Sequence, residues 1–208
     1  MARIIDISPL VSERIAVWPG DVPYRRRASL SIAQGANIDL SAVETTVHLG
    51  AHADARSHYA AGGEGIAAHA LEVYYGPCQV MWVDVPRGAR VLPEHLPGEV
   101  VAPRLLLRTG TFPDPDAWND DFASLSPALV EHVAARGGVL VGIDTPSVDP
   151  FDDRALLTHQ ALLARRIANL EGLVLDGAPP GLYTLIALPL RLEGADASPV
   201  RAALVAEG

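Results

Sequence analysis

The stretch His48-Leu49-Gly50-Ala51-His52-Ala53-Asp54-Ala55-Arg56-Ser57-His58 gathers three of the chain's seven histidines and one acid. His48, His52, Asp54 and His58 all carry even numbers. Side chains alternate along an extended chain, so all four could project from one side. A helix would turn Asp54 roughly 200° away from His48. Gly50 disfavours helix as well, and the small residues Ala51, Ala53 and Ala55 leave room for imidazoles and a carboxylate to converge. Such nitrogen and oxygen donors suit zinc, manganese or iron, with a position left open for water. The helical zinc-protease pattern is excluded, because Leu49 stands where that motif needs Glu. The plainer alternative is a set of satisfied polar residues on an edge strand.

Outward from this stretch, short apolar runs between Gly, Pro and Asp read as strands. They are Arg3–Ile7, Arg14–Trp18, Ala28–Ile32, Ala42–His48, Gln79–Val85, Arg104–Arg108, Gly138–Ile143, Leu173–Leu175, Thr184–Leu190 and Val200–Val205. Two segments read as helices. Ser126–Ala135 has Ser126 as N-cap, Pro127 at its first position and Gly137-Gly138 beyond its end. The other, roughly Asp153–Leu170, carries Leu156, Leu163, Ile167 and Leu170 at helical spacing and stops before Gly172. Strands outnumber helices without regular alternation, so the expected fold is a mixed, strand-rich α/β domain. No linker, repeat or low-complexity block divides residues 1–208, which are expected to form one domain.

The chain has 208 residues, 49% hydrophobic and 20% charged, a globular composition. Its net charge of −9 argues against a nucleic-acid partner. Arg25-Arg26-Arg27 is too short to reverse that balance and reads as a solvated strand face or loop. The single Cys78 excludes an intramolecular disulfide and lies by an apolar run, where a buried thiol is the default. Asp6 interrupts any apolar signal core, and no stretch reaches the eighteen apolar residues of a membrane span. A cytoplasmic protein with no membrane partner is the expectation.

On the second expected helix, His159 falls on the apolar stripe and faces inward. A lone inward histidine is usually a hydrogen-bonded core residue. Glu171 changes that weighing: at a helix C-terminus a carboxylate is mildly unfavourable, and a nearby cation would offset the cost. Asp54 and Glu171 each have two oxygens and could span two ions.

These residues resemble the cyclase-like metal hydrolase family, and in particular its bacterial branch that deformylates N-formyl-L-kynurenine. The signature His-x-Gly-(Thr/Ala)-His-x-Asp-x-Pro-x-His stands here as His48-x-Gly50-Ala51-His52-x-Asp54-x-Arg56-x-His58. The likeness continues in Val17-Trp18-Pro19-Gly20, in Asp144 to Pro150, from His159 through Leu173, and from Leu188 to Pro199. It implies a cyclase-like fold of the swivelling β/β/α type, with two Zn²⁺ per active site and Mn²⁺ as the alternative. His48 and His52 would hold one ion, His159 the other, with Asp54 and Glu171 bridging. It also implies that His58 moves a proton and that Trp18 contacts an aromatic substrate. The reaction implied is hydrolysis of N-formyl-L-kynurenine to L-kynurenine and formate, in tryptophan degradation. Hydroxide formed at the metal would attack the formyl carbon, and His58 would protonate the leaving nitrogen. A homodimer or larger assembly is implied too. Arg56 departs from the family proline, which would leave the turn into His58 less restrained. Two rivals stay open: a related amide hydrolase acting on isatin, and a metal-binding module without catalysis. Serine chemistry is rejected, since no Gly-x-Ser-x-Gly elbow is present.

Overall fold

A computed structural model describes residues 3–206. In chain order its elements are β1 (Arg3–Asp6), β2 (Arg25–Leu30), β3 (Leu40–Glu44), β4 (His52–Asp54), β5 (Tyr75–Trp82), β6 (Arg90–Val91) and β7 (Arg104–Arg108). Then follow β8 (Ser124–Leu125), α1 (Pro127–Ala134), β9 (Leu140–Ile143), α2 (Leu157–Arg165), β10 (Ala168–Glu171), β11 (Gly181–Ile186), β12 (Ala197–Pro199) and β13 (Ala203–Ala206). Nine strands form one sheet in the order β1-β13-β11-β5-β7-β9-β10-β4-β12. The neighbours β5/β7, β7/β9 and β9/β10 are parallel, and the other pairs are antiparallel. A mixed, strand-rich α/β fold with few helices is what the sequence leads one to expect.

Leu105-Leu106-Leu107 on β7 shows why the sheet lies at the centre. Leu106 faces a core with Tyr74, Cys78, Val80 and Leu185. Leu105 and Leu107 face the opposite core, closed by Leu129, Val130 and Val133 of α1 and Leu162 of α2. Parallel strands covered on both faces read as unbroken apolar runs rather than alternating ones. The expected cap of α1 forms, with Ser126 Oγ accepting the Leu129 N–H at 3.1 Å.

The second helix differs from expectation. It covers only Leu157–Arg165 and ends at Arg166, whose φ of 55° is left-handed. Ala168, Asn169 and Leu170 instead pair in parallel with Leu140, Val141 and Gly142. Glu171 therefore ends a strand rather than a helix, so the dipole cost expected for it does not arise. The interior sheet position satisfies the main chain and buries Leu170, which outweighs helical spacing. Arg14–Trp18 and Leu173–Leu175 are irregular rather than strands, and the short β4 and β12 are additional to those expected.

β2 and β3 pair only with each other, and every residue in both is exposed. This ribbon carries Arg25-Arg26-Arg27. Among the described residues no helix is long and apolar enough to cross a membrane.

Candidate metal centre

β4 and β10 lie side by side with His52 opposite Glu171. Two glycines set how near they come. A Cβ on Gly172 (φ +64°) would fall 2.1 Å from the Gly50 carbonyl oxygen, so the main chains touch there. Gly50 itself is left-handed (φ +52°), and the chain bends between His48 and His52. The stretch is thus extended only over His52–Asp54, and His48 reaches the same space from a bend. His159 enters from the first turn of α2.

All five expected ligand residues converge. His48 Nδ1 lies 3.1 Å from Asp54 Oδ1, and His52 Nε2 lies 3.5 Å from the same oxygen and 3.3 Å from Glu171 Oε2. On the other side, His159 Nε2 is 3.3 Å from Asp54 Oδ2 and 3.5 Å from Glu171 Oε1. Each carboxylate therefore turns one oxygen to the His48/His52 side and one to His159. His52, Asp54, His159 and Glu171 are buried. His52 Nε2 and Asp54 Oδ1 have no hydrogen-bond partner among the described residues, although buried donors and acceptors nearly always have one. Their geometry and donor chemistry fit a metal cation.

The second layer of contacts fixes which ring nitrogens face inward. His52 Nδ1 is 2.8 Å from the Gly50 carbonyl and His159 Nδ1 is 2.8 Å from Asp149 Oδ2, so Nδ1 donates in both rings and Nε2 is the atom turned to the cluster. Asp149 also accepts the Thr158 and His159 N–H groups at the start of α2 and pairs with Arg90. The Asn169 amide donates to Asp54 Oδ2 (2.7 Å) and to Glu171 Oε1 (3.1 Å). Asp196 Oδ2 sits 3.1 Å from His48 Nε2 and 3.3 Å from His58 Nδ1. Asp149, Asn169 and Asp196 fall within the stretches that carry the family likeness but have no role assigned to them there, and Arg90 lies outside those stretches. Asn169 leaves a positional signal as well, being two residues before Glu171 and hence on its face if the segment is a strand. Asp149→Asn is expected to weaken metal retention by about 10–100-fold without unfolding the chain. Metal titration with circular dichroism checks it, and unchanged affinity would remove Asp149 from the role of orienting His159.

The charges explain how the cluster tolerates burial. Burial opposes the charged form of His159, but Asp149, Asp54 and Glu171 outweigh it and raise its pKa to about 12. Burial likewise opposes His48, and Asp54 and Asp196 raise it to about 9. Burial pushes Asp54 up, yet His159 and His48 hold it well below the ordinary carboxylate range. In metal-free protein both raised histidines thus carry protons at neutral pH, and a metal must displace them. Binding is expected to release protons and to tighten as pH rises toward 9. Calorimetry in two buffers of different ionisation enthalpy reads that release; a heat independent of buffer would refute it.

A cavity of about 460 Å³ opens onto the cluster. His48, His52, His58, His159 and Glu171 form its polar end, and Trp18, Phe112 and Trp118 line the other. Trp18 is half-buried, edge-on to Trp118 at 5.3 Å and tilted against Phe151 at 5.0 Å. Trp18 is legible in the sequence, whereas Trp118, a hundred residues further on, carries no signal there. His58 is more exposed than the other cluster histidines, its ring 4.2 Å from that of His48. The turn entering it is pinned despite the missing proline. Arg56 Nη1 pairs with Glu64 at 2.6 Å, and Ser57 N donates to the Glu64 carbonyl at 3.1 Å.

The fold brings together a donor set that could hold a metal cation. The chain belongs to the Cyclase family ("Putative cyclase"), whose model matches residues 5–150. It is 44% identical over 206 residues to a kynurenine formamidase of Bordetella petrii, covering 98% of each chain. It is 45% identical to a kynurenine formamidase of Polaromonas naphthalenivorans, covering 97% of this chain and 90% of that one. Among solved structures, one described as a "potential metal-dependent hydrolase with cyclase activity" superposes with a TM-score of 0.83 at 24% identity over the whole of both chains. Isatin hydrolase A of Labrenzia aggregata superposes at 0.82 with 19% identity, covering all of this chain and 94% of that one; these two likenesses speak to the fold.

Proposed function

We propose that this chain hydrolyses N-formyl-L-kynurenine to L-kynurenine and formate. The observation that carries the reading is an aromatic-walled cavity ending on a buried histidine–carboxylate cluster. The full-length likeness to formamidases supplies the substrate. We assign two zinc ions to the cluster, manganese being the alternative. His48 Nδ1 and His52 Nε2 would hold one and His159 Nε2 the other, with Asp54 and Glu171 shared between them; the opposed oxygens of the two carboxylates support this assignment. Such ions, when bound, lower the pKa of a water molecule toward neutrality and polarise the formyl carbonyl.

The chain's own side chains do the rest. Trp18 and Trp118 take the substrate's aromatic ring, whose flat apolar faces match theirs. Their wall keeps water from that ring and holds the formamide toward the cluster. His58 delivers a proton to the departing aniline nitrogen as the C–N bond breaks. Asp196 orients the His58 ring through Nδ1, leaving Nε2 for the substrate. Water supplies the hydroxyl that ends on formate.

Metal-loaded protein offered N-formyl-L-kynurenine and, separately, isatin tests the reading. Expected are kynurenine absorbance and equimolar formate from the first, with isatin a far poorer substrate. If the formyl compound is untouched while metal is bound, the assignment is lost.

A further inference from the structure

A second cavity, of about 230 Å³, shares no lining residue with the one that opens onto the metal cluster. It forms where the loop after His58 meets the join between α2 and β10. Arg56, Tyr59 and Glu64 line it from the loop, and Arg166, Ile167 and Ala168 from the join. Tyr59 links the two spaces, since its ring lies 4.9 Å from that of His159. The reaction proposed above uses none of these side chains.

His69 also lines this cavity. Its Nδ1 lies 2.7 Å from the hydroxyl of Tyr74, a fully buried phenol with no other hydrogen-bond partner among the described residues. Burial pushes the Tyr74 pKa up, so the hydroxyl keeps its proton and donates to Nδ1. Burial and the nearby Arg56 hold the His69 pKa below the usual histidine value, which keeps the ring neutral. Its one ring proton therefore sits on Nε2. That N–H is buried and meets no acceptor among the described residues, whereas buried donors nearly always have one.

Two guanidinium groups join that donor. Arg56 Nη1 pairs with Glu64 at 2.6 Å, and its Nε and Nη2 have no partner among the described residues. A Cβ on Gly63 would fall 2.5 Å from the Arg56 carbonyl, so the loop packs on itself and holds Arg56 in place. Arg166 is exposed at the mouth and pairs with no acid among the described residues, unlike its neighbour Arg165, which pairs with Glu131. Two guanidinium groups against one carboxylate leave the cavity positive, on a chain of net charge −9. Val73, Ile167 and Ala168 add apolar wall, and the Tyr59 ring a flat one. An inorganic anion gains nothing from such walls, whereas an organic carboxylate buries its body against them. The volume falls below the roughly 300 Å³ at which ordinary ligand pockets begin, which limits the ligand to one small ring or a short chain. We propose that this cavity is a second binding site, for a small organic carboxylate. Its oxygens would take the His69 Nε2–H and the two guanidinium groups, and its apolar body would lie against Tyr59 and Ile167. Such a ligand would abut Tyr59, and through it His159, from outside the cavity that holds the substrate.

Nuclear magnetic resonance of the nitrogen-labelled, zinc-loaded full chain tests the proposal, with sodium benzoate as the probe at constant ionic strength. The His69 Nε2–H signal, identified by its loss in His69→Gln, should move downfield and saturate. Benzamide, which has the same ring without the charge, should bind at least about tenfold more weakly, and so should inorganic phosphate. Arg166→Asn should weaken benzoate at least about tenfold, and asparagine tolerates the left-handed turn at that position. Arg56→Gln should weaken it as much, with the circular dichroism of both variants matching wild type. A His69 signal that ignores benzoate, or drifts without saturating, overturns the proposal. So does benzamide or phosphate binding as tightly as benzoate, or an Arg166→Asn variant of unchanged affinity. These shifts and affinities are read without turnover, so the outcome stands apart from the formamide-hydrolase reading.

Discussion

Asp54→Asn is expected to strip the protein of metal and to lower its activity by more than about 100-fold, beyond what loss of an outer-shell contact costs. The side chain would keep its shape but lose its charge, and one of its two acceptor oxygens would become an NH₂ donor. In the wild-type site Oδ1 faces His48 and His52, while Oδ2 faces His159 and accepts from Asn169. Whichever way the new amide turned, its NH₂ would displace one of those acceptors. If it faced Asn169, two donors would meet at a spacing that is now 2.7 Å. Metal content after dialysis, measured by atomic emission, and formamide turnover read the result together. A variant that keeps its metal and its rate would take Asp54 out of the centre.

His58→Ala separates two roles that the geometry brings close together. One ring nitrogen of His58, one of His48 and one carboxylate oxygen of Asp54 lie within 4.8 Å of one another, near enough for a ligand set. Its exposure and its tie to Asp196 suit proton transfer instead. As a proton donor, it should cost about 10²–10⁴-fold in kcat when removed. Metal content would be intact and KM little changed. The loss should shrink for substrates whose leaving nitrogen is more acidic, since these need less help to depart. Loss of metal along with rate would make His58 a ligand; full activity would remove it from both roles.

Much of the site is legible in the sequence, because its ligands are packed into one short stretch of unusual composition. His48, His52, Asp54 and His58 announce themselves by residue type and spacing. His159 and Glu171 emerge there for reasons that are partly mistaken. Both lie in the cluster, yet the long helix expected to link them is a short helix, a left-handed Arg166 and a strand. Leu163, Ile167 and Leu170 mimic helical spacing, while a strand buried on both faces carries no alternation to contradict it. The backbone is extended over His52–Asp54, as the even numbering requires, and departs from that form at Gly50, where it turns left-handed. The contacts of the supporting layer are not legible for another reason. Asp196 meets His48 across 148 residues, and Asn169 meets Asp54 across 115. Contacts that distant leave no period in the sequence.

The abutting glycines at 50 and 172 give the site a vulnerability that lies outside its donor atoms. Gly172→Ala would add one methyl group where the Gly50 carbonyl now sits, acting as a wedge between the two strands that carry His52 and Glu171. Every donor atom would survive in the sequence, yet the donors would stand too far apart to share a cation. In a mutational screen such a substitution would be indistinguishable from deletion of a ligand. The reach of this chain toward its metal is therefore set as much by two missing side chains as by five present ones.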